Sequence, residues 1–533
     1  MEAGGLTAVR PAARRRQARE APRLVARALH LRRMTPAIVR AAAAAFLVVL
    51  SVGAPLRADD TPWPIPEPKP GGLPADVTSK QNAVIGGDTL SYTASVEAVP
   101  LSDPKGERIA EVVVTSYTLN REDPATRPIT YAFNGGPGAA SAYLNFGALG
   151  PRRVQFGNQG NTPSDPPPIL LDNAESWLAF TDLVFVDPVG TGYSRSLGSD
   201  ETQRNFWSVD GDIDALARVV AKHLAAKNRL ISPVYLAGES YGGFRVPRVA
   251  RALQTKEGVG VRGLIAISPV LDFGLRQAEQ TSPIPWVNLL PSMAATARER
   301  KGPVTRADLA DVESYATGQY LADLLRGPRD PEAVDRIVAR VSELTGLDPA
   351  FVRQLGGRVD IHSFVRELDR PKGLVGSLYD ANVTDFDPRP HAARMTFDDP
   401  ILDGSRAPLT SAAVDFYARD MGYRVDRRYE LLNPEVSRKW RWGDRQSPPE
   451  AVDALREALA LDPKIRMLVA HGATDLVTPY MESKMVLDQL PAFGDPGRVA
   501  LKVYPGGHMF YTRDGSRAAF EKDARALYQA TGR

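Results

Sequence analysis

Val234–Arg245, VYLAGESYGGFR, is the stretch on which the reading of this chain turns. An apolar, β-favouring run ends at Ala237, a Gly-Glu-Ser-Tyr-Gly pentapeptide follows, and the Arg/Val/Ala-rich segment Phe244–Lys256 is compatible with helix. Strand, tight turn and helix in that order make Gly-x-Ser-x-Gly a nucleophile elbow, in which the glycines let strand and helix approach closely and the serine is lifted on a strained turn. The motif alone is weak, because small residues around a serine recur by chance. Ser240 acquires meaning only if the rest of the chain supplies a base, an orienting acid and donors for an oxyanion.

Upstream, Thr89–Val99 and Ile109–Leu119 read as an antiparallel hairpin around the turn-prone Ser102-Asp103-Pro104-Lys105-Gly106. Ile129–Phe133 is a short apolar strand running into Asn134-Gly135-Gly136-Pro137-Gly138, a loop that exposes backbone N–H groups but lacks the Lys-Ser/Thr ending of a phosphate-binding loop. Leu183–Val186 reads as a buried strand ending in the turn Asp187–Ser194, Asp210–Lys227 as a helix, and Gly263–Ile267 as a further strand. Strands alternating with helices predict a mostly parallel sheet flanked by helices, an α/β class. From Gly274 to Ala407 strand-like runs are scarce and helical patterns such as Pro331–Leu344 and Pro349–Leu355 dominate, so this stretch reads as a mainly helical insertion. Asp385–Pro390 within it reads as a turn. The sheet pattern resumes at Ile465–Ala470 and Val499–Tyr504, and Arg517–Gln529 reads as a closing helix.

Those two late strands lead into His471-Gly472-Ala473-Thr474-Asp475 and Pro505-Gly506-Gly507-His508-Met509. Functional loops collect at the carboxyl ends of strands in open α/β sheets. The order Ser240, Asp475, His508 is the order of an α/β-hydrolase triad. His471 is the rival base and Asp187 the rival acid. His508 is preferred because it follows the last strand and sits beside two glycines. On this reading His508 takes the serine proton and Asp475 fixes the imidazole, while the N–H groups of Tyr241 and of a glycine in the 135–138 loop hold the oxyanion. No cofactor or metal is required.

The chain has 533 residues, 43% hydrophobic and 24% charged, with no cysteine and a net charge of +3. Residues 1–58 hold 11 of the 66 basic and 2 of the 63 acidic residues, so the remainder is net acidic and gives no reason to expect nucleic-acid binding. Arg40, the apolar run Ala41–Val52 and Leu56-Arg57-Ala58 have the three-part pattern of a secretory signal, with cleavage expected after Ala58. The run is short for a bilayer span, so no stable membrane span is expected after cleavage. Residues 1–33 are Arg-rich and unlike an export signal, which makes Met34 the expected start. The expected organisation is a leader over 1–58, a proline-rich extended segment over 59–88, a first core part over 89–273, a helical cap over 274–407 and a second core part over 408–533.

Taken together, Asn134–Gly138, Phe185-Val186-Asp187-Pro188-Val189-Gly190-Thr191-Gly192-Tyr193-Ser194, Gly238–Gly243, Asp475 before Pro479, and Gly507-His508-Met509 resemble the serine carboxypeptidase family, specifically its bacterial exported branch. The resemblance runs from about Thr89 to the C-terminus. It implies an α/β-hydrolase fold with a helical cap and removal of C-terminal amino acids from peptides at acidic pH. The expected location is then periplasmic or secreted. It further implies Ser240, Asp475 and His508 as the triad, Gly136 and Tyr241 as the oxyanion donors, and Asn134 and Glu239 as the residues that bind the terminal carboxylate of a peptide. Ala132, Ala139 and the turn Ser268-Pro269-Val270 depart from the family pattern. Because a fold alone does not fix function, an esterase or acyltransferase is the alternative.

Overall fold

The computed structural model describes residues 72–531 apart from 121, 122, 124, 157–167, 169, 277–280, 393–398 and 444–446. The leader, its cleavage site, Met34 and residues 59–71 of the proline-rich segment lie outside the described residues.

The strands are β1 (Val77–Ile85), β2 (Asp88–Ser102), β3 (Arg108–Leu119), β4 (Ile129–Phe133), β5 (Arg152–Val154), β6 (Leu170–Asp172), β7 (Asp182–Val186), β8 (Arg195–Ser196), β9 (Val234–Glu239), β10 (Gly263–Ile267), β11 (Leu374–Gly376), β12 (Thr384–Phe386), β13 (Arg466–Gly472) and β14 (Val499–Tyr504). Their main sheet runs β1-β2-β3-β7-β4-β9-β10-β13-β14, with β8 pairing alongside β3. β1, β2 and β3 form an antiparallel meander, β3 meets β7 antiparallel, and from β7 to β14 every pairing is parallel. This is the α/β-hydrolase architecture that the sequence predicts. β1 adds a strand to the expected hairpin, within the segment read from sequence as extended.

Every residue of β4, β7, β9 and β10 is buried, as expected of central parallel strands covered on both faces. Successive residues point to opposite layers. Tyr235, Ala237, Ile265 and Ala470 join an apolar layer completed by Phe520, Ala524 and Tyr528 of the closing helix Asp514–Thr531. Leu236, Leu264, Ala266 and Val469 join the opposite layer, covered by the helices Val209–Ala226 and Tyr241–Ala252.

Between β10 and β13 a set of helices, among them Ile284–Glu299, Pro331–Thr345 and Ile361–Glu367, closes around its own apolar cluster of Val287, Met293, Val341, Phe364 and Val375. The antiparallel pair β11 and β12 lies in this region. β12 takes up Asp385 and Phe386, which the sequence reads as a turn, because pairing with β11 supplies hydrogen bonds that local composition does not announce.

Candidate active site

Ser240 stands where β9 ends and the helix Tyr241–Ala252 begins, with φ 60° and ψ −122°. A non-glycine residue at positive φ is strained and persists only where its surroundings over-determine it. Here the neighbouring glycines do that. A Cβ on Gly238 would lie 2.1 Å from the Gly242 carbonyl oxygen, one on Gly242 would lie 2.2 Å from that of Phe133, and one on Gly243 would lie 2.5 Å from Cβ of Pro269. Only hydrogen atoms fit between strand, turn and helix. The serine hydroxyl makes no capping bond to the helix it opens, so it is not committed to a structural role there.

The glycine-rich loop packs on the same turn. A Cβ on Gly135 would fall 2.6 Å from the Tyr241 nitrogen and 2.9 Å from Cβ of Ser240. Gly136 follows at φ 99°. The loop is thus laid directly against the elbow, which brings the Gly136 and Tyr241 backbones into one neighbourhood. Arg245, fully buried, fixes this contact: it grips Asp212 through Nε at 2.7 Å and Nη2 at 3.1 Å and donates to the Asn134 carbonyl oxygen through Nη1. Neither Arg245 nor Asp212 was singled out by motif, since an arginine in a helical pattern normally reads as a solvated residue.

The acid and base expected from sequence are joined. His508 Nδ1 and Asp475 Oδ2 are 2.8 Å apart, and both side chains are buried. Asp475 Oδ1 accepts the Val477 and Thr478 N–H groups at 2.8 and 2.9 Å, and Oδ2 accepts the Thr478 hydroxyl at 2.6 Å. Such a set of donors fixes the orientation of the carboxylate against the imidazole. Burial works to discharge His508, but the charge and hydrogen bond of Asp475 outweigh it and raise its proton affinity. The loops that carry His508 and Ser240 are both bonded to the end of β10. The Ser268 hydroxyl donates to the His508 carbonyl oxygen at 2.8 Å, and the Ser240 N–H donates to the carbonyl of Ile267, one residue before Ser268. Ser268, noted in the sequence only as a departure, therefore ties these loops, and the Thr478 hydroxyl bonds its carbonyl at 2.9 Å.

The two rivals have other partners. His471 lies within β13, not in the loop after it; its Nε2 pairs with the Ser483 hydroxyl at 2.8 Å, and burial pushes its pKa down to about 4. Asp187 accepts the Ser141 N–H at 2.8 Å, while Ser141 Oγ donates to the Val186 carbonyl oxygen, so Asp187 braces the segment after the glycine-rich loop.

Glu239, 3% exposed, sits beside the serine. Its Oε2 accepts from Asn134 Nδ2 and its Oε1 from the Tyr511 hydroxyl at 2.7 Å. The Asn134 amide is oriented by its own oxygen, which accepts the Leu144 N–H at 2.9 Å. Burial raises the proton affinity of Glu239, against the pull of His508, Tyr511 and Asn134. Of the residues expected from sequence, the structure thus joins Asp475 to His508, joins Asn134 to Glu239, and sets both pairs at strand ends flanking the elbow. Arg245, Ser268, Thr478 and Tyr511 are the members that sequence missed.

Residues 116–272 match the family model described as serine carboxypeptidase. A carboxypeptidase Y homolog A of Phaeosphaeria nodorum is 30% identical over 168 residues, 31% of this chain and 28% of that protein. Serine carboxypeptidase-like 36 of Arabidopsis thaliana is 29% identical over 216 residues, 38% of this chain and 39% of the relative. A pheromone-processing carboxypeptidase of Yarrowia lipolytica is 34% identical over 141 residues, 26% of this chain and 21% of the relative. The chain therefore matches about a fifth to two fifths of the length of these curated relatives. The matched family segment spans the glycine-rich loop, Asp187, the elbow and Ser268; Asp475 and His508 lie beyond it.

Proposed function

We propose that this chain is a serine carboxypeptidase that releases the C-terminal residue of peptides through an acyl-enzyme. The observation that carries this reading is the buried Asn134 and Glu239 pair next to the elbow serine. A buried carboxyl group beside the nucleophile can, when neutral, donate to the free C-terminus of a peptide. Two carboxylates cannot share a contact while both are ionised, so a neutral Glu239 donates its O–H to the substrate carboxylate and Asn134 supplies an N–H.

The rest of the cycle follows from the neighbouring groups. Ser240 Oγ attacks the scissile carbonyl carbon as His508 accepts its proton; the Gly136 and Tyr241 N–H groups receive the negative charge that develops on the carbonyl oxygen. Collapse of the tetrahedral species breaks the C–N bond, and the His508 proton passes to the departing amino acid. Water then repeats the sequence in reverse and frees Ser240. Asp475 holds the imidazole orientation and stabilises its charged form. Because His508 must be neutral to act as a base and Glu239 must be protonated to bind, kcat/KM against pH is bell-shaped. Both groups have their proton affinity raised, His508 by Asp475 and Glu239 by burial.

Blocked dipeptides in free-acid and amidated forms test the proposal. The free acid is expected to be cleaved faster, the difference shrinking as pH rises, and Ser240→Ala is expected to remove both activities. Equal turnover of acid and amide, or activity confined to small esters, would assign the same machinery to an esterase or acyltransferase. Export is a further part of the proposal, supported by the signal-like pattern up to Ala58; a mature N-terminus found elsewhere than at Asp59 by terminal sequencing after secretion would contradict that cleavage.

A further inference from the structure

Glu239 is approached from two sides, and the motifs account for only one of them. Tyr511 lies three residues beyond His508, in a single 3₁₀ turn Phe510–Thr512, and its hydroxyl donates to Oε1 of Glu239 at 2.7 Å. The ring is 1% exposed. A Cβ on Gly147 would come within 3.2 Å of its Cε2, so the segment after the glycine-rich loop closes one side of the ring. Its backbone carbonyl accepts from Arg517 at 3.2 Å. A phenol held in this way is committed to Glu239.

The groups facing Glu239 come from every element around it: His508 and Asp475 from the loops after β14 and β13, Asn134 from the end of β4, Tyr143 from the segment after the glycine-rich loop, Tyr379 from the insertion, and Tyr511. Burial and Asp475 favour the neutral acid; His508, Asn134 and Tyr511 favour the carboxylate. A hydrogen bond to an ionised acceptor is stronger than one to the neutral form. Tyr511 therefore opposes protonation of Glu239 at one oxygen, as Asn134 does at the other.

We infer that Tyr511 is a positioning residue for recognition of the substrate's terminal carboxylate: its donation into Oε1 holds the Glu239 carboxyl group in place beside Asn134 and sets the pH at which that recognition is lost. This inference rests on the carboxypeptidase reading for its substrate, but not for its titration.

Tyr511→Phe keeps the ring and removes only the donor. On the free-acid dipeptide, the rise of KM towards alkaline pH is expected to move to higher pH in the variant. KM for the free acid at neutral pH should then fall on the order of threefold or more. A variant in which kcat drops at every pH while the KM limb stays in place would overturn the inference, since that is what a merely structural tyrosine gives. If the parent shows no preference for the free acid, the carboxypeptidase reading fails by itself. The infrared band of the neutral Glu239 carboxyl, identified by its loss in Glu239→Gln, then decides Tyr511 independently. A midpoint displaced to higher pH in Tyr511→Phe supports the inference, and coincident midpoints overturn it.

Discussion

Asp187 and Asp475 are both buried acids just beyond strand ends, and their partners separate them. Asp475 collects two N–H groups, a hydroxyl and an imidazole. Asp187 is pushed up from its ordinary 3.8 to about 7, because burial outweighs the Ser141 N–H, the Arg195 charge and the Tyr429 hydroxyl. The folded state therefore holds a proton that the unfolded chain has already released, and this group's contribution to stability falls as pH rises through that window. Asp187→Asn removes the titration while keeping an acceptor for Ser141. The urea midpoint of the variant is expected to gain on that of the parent between the ordinary carboxyl range and neutrality; parallel curves would refute the assignment. In local pattern the two aspartates look alike, each following an apolar strand, and only chain order separates them in sequence. Their difference lies in hydrogen bonds from residues that local pattern does not bring together, such as Ser141 to Asp187 and His508 to Asp475.

The element that organises the site is the junction of β9 with its helix, and its glycines were legible because close approach leaves a local signature. Their cost when filled is less visible. A methyl group on Gly242 points at the Phe133 carbonyl oxygen, a backbone atom of β4 that cannot rotate away. Gly242→Ala is therefore expected to cost roughly 1–3 kcal/mol, read as a lower thermal midpoint, together with slower labelling of Ser240 by an organophosphonate. Full stability with normal labelling would show that β4 and the helix can part freely. The turn after β10 shows the opposite case. Ser268 takes φ 43°, a conformation that favours glycine, and its hydroxyl and backbone serve the loops that carry His508 and Asp475. Nothing in Ser-Pro-Val announces that role, because the partners belong to other strands.

At the scale of the whole molecule, the helical insertion and the sheet are clamped at the loops that carry the acid and base. Arg513 bridges Glu299 at 2.7 Å and Asp380 at 2.6 Å, and Asp380 accepts the hydroxyl of Thr474, next to Asp475, at 2.8 Å. A Cβ on Gly507 would fall 1.8 Å from the Tyr379 carbonyl oxygen, which accepts the His508 N–H at 2.5 Å. Arg513→Ala leaves two mostly buried carboxylates without their cation and is expected to cost roughly 3–5 kcal/mol, with kcat/KM falling as the His508 loop loosens. Denaturation curves that superimpose on the parent would show the clamp to be dispensable. The sequence by itself determined the class of fold, the elbow, the glycine-rich loop and the order Ser240, Asp475, His508, because strand periodicity and turn chemistry are written within a few consecutive residues. It left open what Ser268 does, that Arg245 fixes the glycine-rich loop, and that Tyr511, 272 residues away in the chain, reaches Glu239. Only tertiary structure decided these, since a hydrogen bond across such a separation is set by the packing of whole strands and loops and has no local pattern to reveal it.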